Sequence, residues 1–196
     1  NKKILKSGNT ITDVVKSNLN LLNKNNILKK FKLKKRDYFL ATLHRPETVD
    51  NSINFKKIIY TFNKISNLYK IKIIFPVHPR TKKILKKFKK KLNKNIIITN
   101  PLEYIDFLFL MKNCRIVFTD SGGIQEESSI LGIPCITTRT STERQITVKS
   151  KVNIMTGYDQ KKIIAAVRRF YDIKIKKLNL FGDGRVAEKI YKFLKK

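Results

Sequence analysis

Residues 114–147, CRIVFTDSGGIQEESSILGIPCITTRTSTERQIT, carry the reading on which the fold turns. Ile116, Val117 and Phe118 form a short apolar run of the kind a strand buried on both faces needs, and Thr119-Asp120-Ser121-Gly122-Gly123 breaks it into a helix. Leu131-Gly132-Ile133-Pro134 closes that helix and leads into a second strand, Pro134-Cys135-Ile136-Thr137. The order is strand, tight turn, helix, strand.

Two glycines at the turn remove the Cβ atoms that keep a ligand away from the backbone. The unpaired first-turn amides of the helix point outward there, beside the positive end of its dipole. A phosphate fits such a place. Gln125, Glu126 and Glu127 follow in the first turns, where acids suit the dipole and where a carboxylate also accepts hydrogen bonds from ribose hydroxyls. An ordinary strand-to-helix turn capped by Asp120 or Ser121 has the same spacing, and the stretch matches neither standard Gly-rich nucleotide motif. Both readings stay open at this level.

The chain has 196 residues, enough for one domain with a proper core and for segments that attach to something else. It opens on Asn1, and its first segment reads as helix with no strand unit before it, so an N-terminal part is expected to precede it. No apolar run approaches the roughly 20 residues of a membrane span and no signal peptide is visible, which points to a soluble, cytoplasmic protein without a membrane partner. Cys114 and Cys135 have no CxxC and no neighbouring His, so neither a zinc site nor a disulfide framework is indicated.

A total of 44 Lys and Arg against 14 Asp and Glu gives a net charge of +30, a balance that ordinarily raises nucleic acid first. The lysines, however, are scattered over almost every helix face, in company with an excess of Asn and Ile, and RNA-binding signatures and single-strand stacking patches are absent. Non-specific, salt-sensitive adhesion to polyanions is expected, and no specific nucleic-acid partner. A basic surface also favours anionic substrates.

Residues 8–23 read as a helix capped by Thr10 or Thr12, with Ile11, Val14, Val15, Leu19 and Leu22 at helical spacing. Residues 24–36 are strongly basic and read as a loop or short helix. Alternation then begins. Tyr38 to Leu43 is a strand ending in His44-Arg45, with a helix through Phe55, Ile58, Phe62 and Ile65. Ile71 to Val77 is a strand ending in His78-Pro79-Arg80, with a Lys-rich helix to about Leu92. Ile96 to Thr99 is a third strand, followed by a helix over Tyr104 to Met111, and Ile154-Met155 is a sixth after the two already described. Asp159 to Phe170 and Arg185 to Leu194 are helices. Short apolar strands alternating with helices predict an α/β fold with a doubly wound parallel sheet.

In such sheets ligands bind beyond the carboxyl ends of the strands, and the distinctive polar clusters, His44-Arg45, His78-Arg80, Asp120-Ser121 and Thr142-Glu143-Arg144, all fall at such ends. A ligand site at that edge follows from the coincidence.

The blocks ATLHRPETVDN, FPVHPRTKK, PLEYIDFLFLMKNC, FTDSGGIQEESSILGIPC, TRTSTERQITV, NIMTG and FGDGRVAEKI occur in this order over most of residues 38–192. Together they resemble the C-terminal half of the non-hydrolysing UDP-N-acetylglucosamine 2-epimerases, and GNTITDVV resembles the crossover from the N-terminal domain. The resemblance implies the C-terminal domain of a glycosyltransferase B-type fold, in which two Rossmann-like domains face each other across a cleft. Residues 1–36 then form the interdomain crossover helix and linker, residues 37–180 the Rossmann-like UDP-binding domain, and residues 181–196 a C-terminal helix packing toward the missing N-terminal domain. The implied reaction is that of an isomerase serving surface polysaccharide biosynthesis. It interconverts UDP-GlcNAc and UDP-ManNAc by elimination of UDP to a glycal and re-addition, with C2 proton exchange and without a cofactor or metal. Members of the family commonly pair as dimers.

Residue by residue, the resemblance makes Ser121, Gly122 and Gly123 the diphosphate cradle and gives Glu127 the ribose hydroxyls. It lays Phe107 against the uracil with the Leu102 backbone reading its edge, although Phe107 also reads as plain helix core. Arg144 would neutralise phosphate charge that grows as the C1–O bond breaks, with surface salt bridging to Glu143 as its plainer alternative. His44 matches the histidine near the reacting sugar and phosphate and is the catalytic candidate. Arg45, His78 and Asp120 are further contacts. The family's usual Thr-Glu-Arg-Pro-Glu stands here as Thr142-Glu143-Arg144-Gln145-Ile146, and a typical glycine a few positions later appears as Lys151. The alternatives are a hydrolysing relative that releases ManNAc and UDP, and a non-catalytic UDP-sugar-binding fragment.

Overall fold

The structure is a computed structural model that describes residues 4–24 and 26–195. Its strands are β1 (Tyr38–Thr42), β2 (Lys72–Pro76), β3 (Ile96–Thr99), β4 (Ile116–Thr119), β5 (Cys135–Thr137) and β6 (Asn153–Met155). They form one six-stranded sheet in the order β3-β2-β1-β4-β5-β6, and all five pairings are parallel. The central strands are buried on both faces, as a parallel sheet covered by helices requires.

The helices are α1 (Ile11–Asn18), α2 (Ile27–Lys30), α3 (Pro46–Val49), α4 (Ser52–Tyr69), α5 (Pro79–Leu85), α6 (Tyr104–Asn113), α7 (Gly122–Leu131), α8 (Gln145–Lys149), α9 (Gln160–Phe170) and α10 (Val186–Leu194). Strand alternation sends Phe39, Ala41, Ile73, Phe75, Ile116 and Phe118 to one face, where α4 and α9 cover them with Phe55, Phe62, Ile163 and Phe170. Tyr38, Leu40, Ile74, Val117 and Cys135 point to the other face, under α1, α6 and α7. The two cores make a three-layer domain.

Local chemistry sets the helix ends. Asn51 caps α4 by accepting the amides of Ile53 and Asn54, and Asp159 caps α9 by accepting the amide of Lys162. The left-handed Gly132, at φ +72°, ends α7 as the sequence indicated, and a Cβ there would lie 2.9 Å from the Ile175 carbonyl.

The first helix departs from expectation. It stops at Asn18 and tightens into a 3-10 turn over Leu19–Lys24, leaving Val14 exposed while Val15 and Leu22 are buried. Ser17 Oγ and Asn18 Nδ2 both donate to the Val14 carbonyl, at 3.0 and 2.8 Å, and so compete with the backbone ladder. Neither Thr10 nor Thr12 caps it. Asn9 Oδ1 accepts the Ile11 amide, and the Thr12 hydroxyl donates to the Phe181 carbonyl. The Lys-rich helix likewise ends as α-helix at Leu85 and continues as a 3-10 turn over Lys86–Lys91. At the chain's far end, α10 buries Val186 and leaves Tyr191 and Leu194 exposed.

Candidate functional site

The sheet order reverses between β1 and β4, the neighbours whose connections wind away in opposite directions. Loops leaving two such strands diverge, and a crevice opens between them at the carboxyl edge. The register Thr42↔Thr119 brings the start of Leu43-His44-Arg45 beside Asp120-Ser121.

Asp120 closes the floor of that crevice. It is fully buried, and its carboxylate accepts the His44 amide at 2.9 and 3.1 Å and the Arg45 amide at 2.9 Å. Its Oδ1 also lies 3.3 Å from His44 Nδ1, a charge contact that holds the ring beside the carboxylate. Burial pulls the His44 imidazole below its ordinary range and outweighs Asp120, which acts the other way; the nearby His78 and Arg45 lower it further and Glu47 opposes them.

Because Asp120 faces across the crevice, it does not cap α7. Ser121 stands at the N-cap position and makes no side-chain cap either, so the capped-turn alternative fails. The first-turn amides of α7 have no intrahelical partner by construction. A Cβ built on Gly122 would meet nothing nearer than the Arg144 guanidinium at 3.7 Å, and one on Gly123 nothing nearer than Ser121 Oγ at 3.9 Å. Neither glycine is demanded by backbone strain or crowding within the protein. What their missing side chains leave open is space directly over the helix amides.

Arg144 borders that space. It occupies the N-cap position of α8, and its Nε makes an ion pair with Glu126 Oε1. This is a charge contact and not an aligned hydrogen bond, since that Nε has no hydrogen-bond partner. The expected alternative, Arg144 bridging Glu143, is overturned: Glu143 pairs through both oxygens with Arg139 at 3.1 and 3.2 Å, and Arg139 also lies 3.6 Å from Glu47. Arg139 pulls the Glu143 carboxyl down to about 2. The loop is further fixed by Gln125, whose Oε1 accepts Thr142 Oγ1 at 2.7 Å and Asn153 Nδ2 at 3.1 Å.

One turn along α7, Glu127 is buried and accepts the Tyr104 hydroxyl at 3.2 Å. Burial raises its carboxyl to about 7, with Glu126 adding to the rise and the Tyr104 hydrogen bond opposing it. The same contact ties the start of α6 to α7. Leu102, before α6, and Phe107, in its first turn, are half-buried against the second core.

His78 stands apart from the cradle. Its Nδ1 accepts the Arg80 amide at the start of α5, and its ring centroid lies 5.7 Å from that of His44. The Arg80 guanidinium forms a two-bond pair with Asp50 at 3.1 and 2.6 Å. An open groove of about 880 Å³ beside His78, Arg80 and Lys83 includes none of Ser121, Gly122 and Gly123. The chemistry of α7, and not the size of that groove, marks the site.

Tyr104, Glu126, Gln125 and Arg139 went unassigned in the sequence. Tyr104 had a signal, standing three residues before Phe107 on one helix face. Gln125 and Glu126 find partners on remote elements, which spacing does not reveal, and Arg139, four residues before its partner Glu143, also reaches the remote Glu47.

The sheet order and the open helix terminus at its reversal define a Rossmann-like domain of the glycosyltransferase B type. The sequence model described as UDP-N-acetylglucosamine 2-epimerase matches residues 1–195, and the chain belongs to that family. It is 44% identical over 199 residues to the UDP-N-acetylglucosamine 2-epimerase of Methanocaldococcus jannaschii, covering 98% of this chain and 54% of that protein. The crystal structure of the Methanocaldococcus jannaschii enzyme in complex with UDP-GlcNAc and UDP superposes with a TM-score of 0.89 at 45% identity, over 98% of this chain and 55% of that one. The Neisseria meningitidis enzyme bound to UDP-GlcNAc superposes with a TM-score of 0.86 at 25% identity, over 98% of this chain and 55% of that one. The chain spans about half the length of the relatives it matches.

Proposed function

We propose that this chain is the nucleotide-binding, C-terminal half of a non-hydrolysing UDP-N-acetylglucosamine 2-epimerase. The observation that carries the reading is the uncapped start of α7, opened by Gly122 and Gly123 and bordered by Arg144 at the reversal of the sheet. Oriented amides and a cation there suit a diphosphate. In this reading Ser121, Gly122 and Gly123 hold the diphosphate and Glu127, steadied by Tyr104, receives the ribose hydroxyls. Phe107 and the Leu102 backbone flank the uracil.

The reaction removes the C2 proton and breaks C1–O, the electron pair leaving with UDP to give a glycal. UDP then re-adds at C1 while C2 takes a proton on its other face. Arg144 stabilises the charge that builds on the leaving diphosphate. The negative diphosphate raises the pKa of His44, which takes up a proton on Nε2, donates to the leaving group, and keeps its ring aimed through Asp120. In this reading the groups that move the C2 proton belong to a second domain, and α10, whose Tyr191 and Leu194 are exposed, packs toward it. The reading places the enzyme in the cytoplasm as a homodimer.

A calorimetric titration of UDP into this chain tests the site. Binding should be lost in Ser121→Asp, which sets a negative charge in the cradle. Equal binding by both proteins would sink the assignment. With the second half supplied in trans, UDP-GlcNAc in deuterated water should give UDP-ManNAc deuterated at C2 by NMR; release of ManNAc and UDP would select the hydrolysing alternative.

A further inference from the structure

Residues 9–13 join residues 181–187, and α1 and Asn9 lie against α7. The Asn9 amide donates to the Phe181 carbonyl at 2.7 Å, and Asp13 caps α10 by accepting the amides of Val186 and Ala187 at 3.1 and 2.8 Å. From this joint the Asn9 side chain reaches α7, where its Nδ2 donates to Glu126 Oε1 at 3.1 Å. The same oxygen meets Arg144 Nε. A single carboxylate oxygen therefore connects the docked terminal segments to the cation beside the cradle.

A carboxylate is out of place at an anion site. Glu126 is buried, so its negative charge opposes an incoming diphosphate with little screening, and a buried charge also requires partners. The arrangement makes sense when that charge has another task. Arg144 is one-third exposed and sits on the loop between β5 and α8, and its long side chain has much rotamer freedom to lose. Held by Glu126, the guanidinium is in place before ligand arrives, which lowers the entropy lost on binding.

We propose that Glu126 is a positioning residue for Arg144, and that Asn9 makes the strength of the phosphate site depend on the docking of the terminal segments. The proposal rests on the diphosphate reading of the cradle. It predicts a sign that electrostatics alone reverses. Glu126→Gln removes a negative charge near the phosphates and would tighten UDP if charge were all; as a positioning residue its loss weakens UDP by about fivefold. Asn9→Ala, which changes no charge, weakens UDP in the same direction.

The experiment is calorimetry of UDP and of uridine on the wild-type chain, Glu126→Gln, Asn9→Ala, Arg144→Met, and the two substitutions each combined with Arg144→Met. Losses confined to UDP, and absent once Arg144 is gone, support the proposal. Tighter or unchanged UDP binding by Glu126→Gln, or equal losses for uridine, overturn it and leave the cradle standing. Unchanged UDP affinity in Arg144→Met itself removes Arg144 from the diphosphate, and the proposal falls with that part of the reading.

Discussion

Asp120 holds His44 from two sides: one carboxylate accepts the histidine's backbone amide at 2.9 Å and lies 3.3 Å from its ring Nδ1. Because Asp120 follows β4 and His44 follows β1, this contact bridges the two strands between which the sheet reverses. It ties the two walls of the crevice together and orients the ring that faces it.

Asp120→Ala leaves the amides of His44 and Arg45 without their acceptor, and buried donors left unpaired cost roughly 1–3 kcal/mol each. Guanidinium denaturation should show a loss on the order of 3 kcal/mol, with Asp120→Asn losing less because one oxygen remains. An unchanged midpoint in Asp120→Ala would falsify the structural role of the bridge.

Gly123→Ala separates folding from ligand binding. The added methyl meets no protein atom closer than 3.9 Å, and alanine favours a helix over glycine by up to about 1 kcal/mol. Thermal melting should hold steady or rise slightly, while UDP affinity falls at least about tenfold as the methyl enters the phosphate space. A variant that melts lower and still binds UDP would mean that the glycine serves packing alone.

Glu127 gives a pH signature. Its folded carboxyl stands at about 7, above the ordinary 4.5, so the folded state binds the proton more tightly than the unfolded state. The stabilisation is fully present below the unfolded value and disappears as pH rises through about 7. Glu127→Gln, neutral at every pH, should therefore gain on wild type as pH rises from about 4.5 to about 8, by up to on the order of 3 kcal/mol, as read from melting curves across that range. Parallel curves for the two proteins would show that burial does not penalise this carboxylate. UDP affinity should move the other way, falling as acid protonates the group that receives the ribose.

Lys151 adopts φ +59° after the end of α8. A left-handed backbone strains a side chain that glycine lacks, by about 1 kcal/mol. Lys151→Gly should raise the unfolding free energy by up to about 1 kcal/mol, read from denaturant titration, without altering UDP affinity; a lower value would contradict the strain.

The strands were legible because parallel strands covered on both faces must be apolar runs, and Ile73-Ile74-Phe75 and Ile116-Val117-Phe118 have no other comfortable place. Short elements were not. The helix Gln145–Lys149 and the break at Asn18 depend on Thr142 and Gln145 bonding within their loop and on Asn18 reaching back to Val14, contacts that no hydrophobic period encodes. The turn at Ser121-Gly122-Gly123 was readable as a phosphate cradle and equally as a capped turn, because the sequence does not say where the Asp120 carboxylate goes.

By itself, then, the sequence determined the alternation of strand and helix, the polar clusters at the strand ends, and the family. Each of these follows from local composition and chain order. Tertiary structure alone decided which clusters share a site: β2, β3 and their helices separate β1 from β4 along the chain, and Phe39 meets Ile116 only because the sheet reverses between those strands. It alone assigned the partners of each charge, sending Asp120 to His44, Glu143 to Arg139 and Arg144 to Glu126. Those choices are set by burial and by distance in three dimensions, and neither quantity is written along the chain.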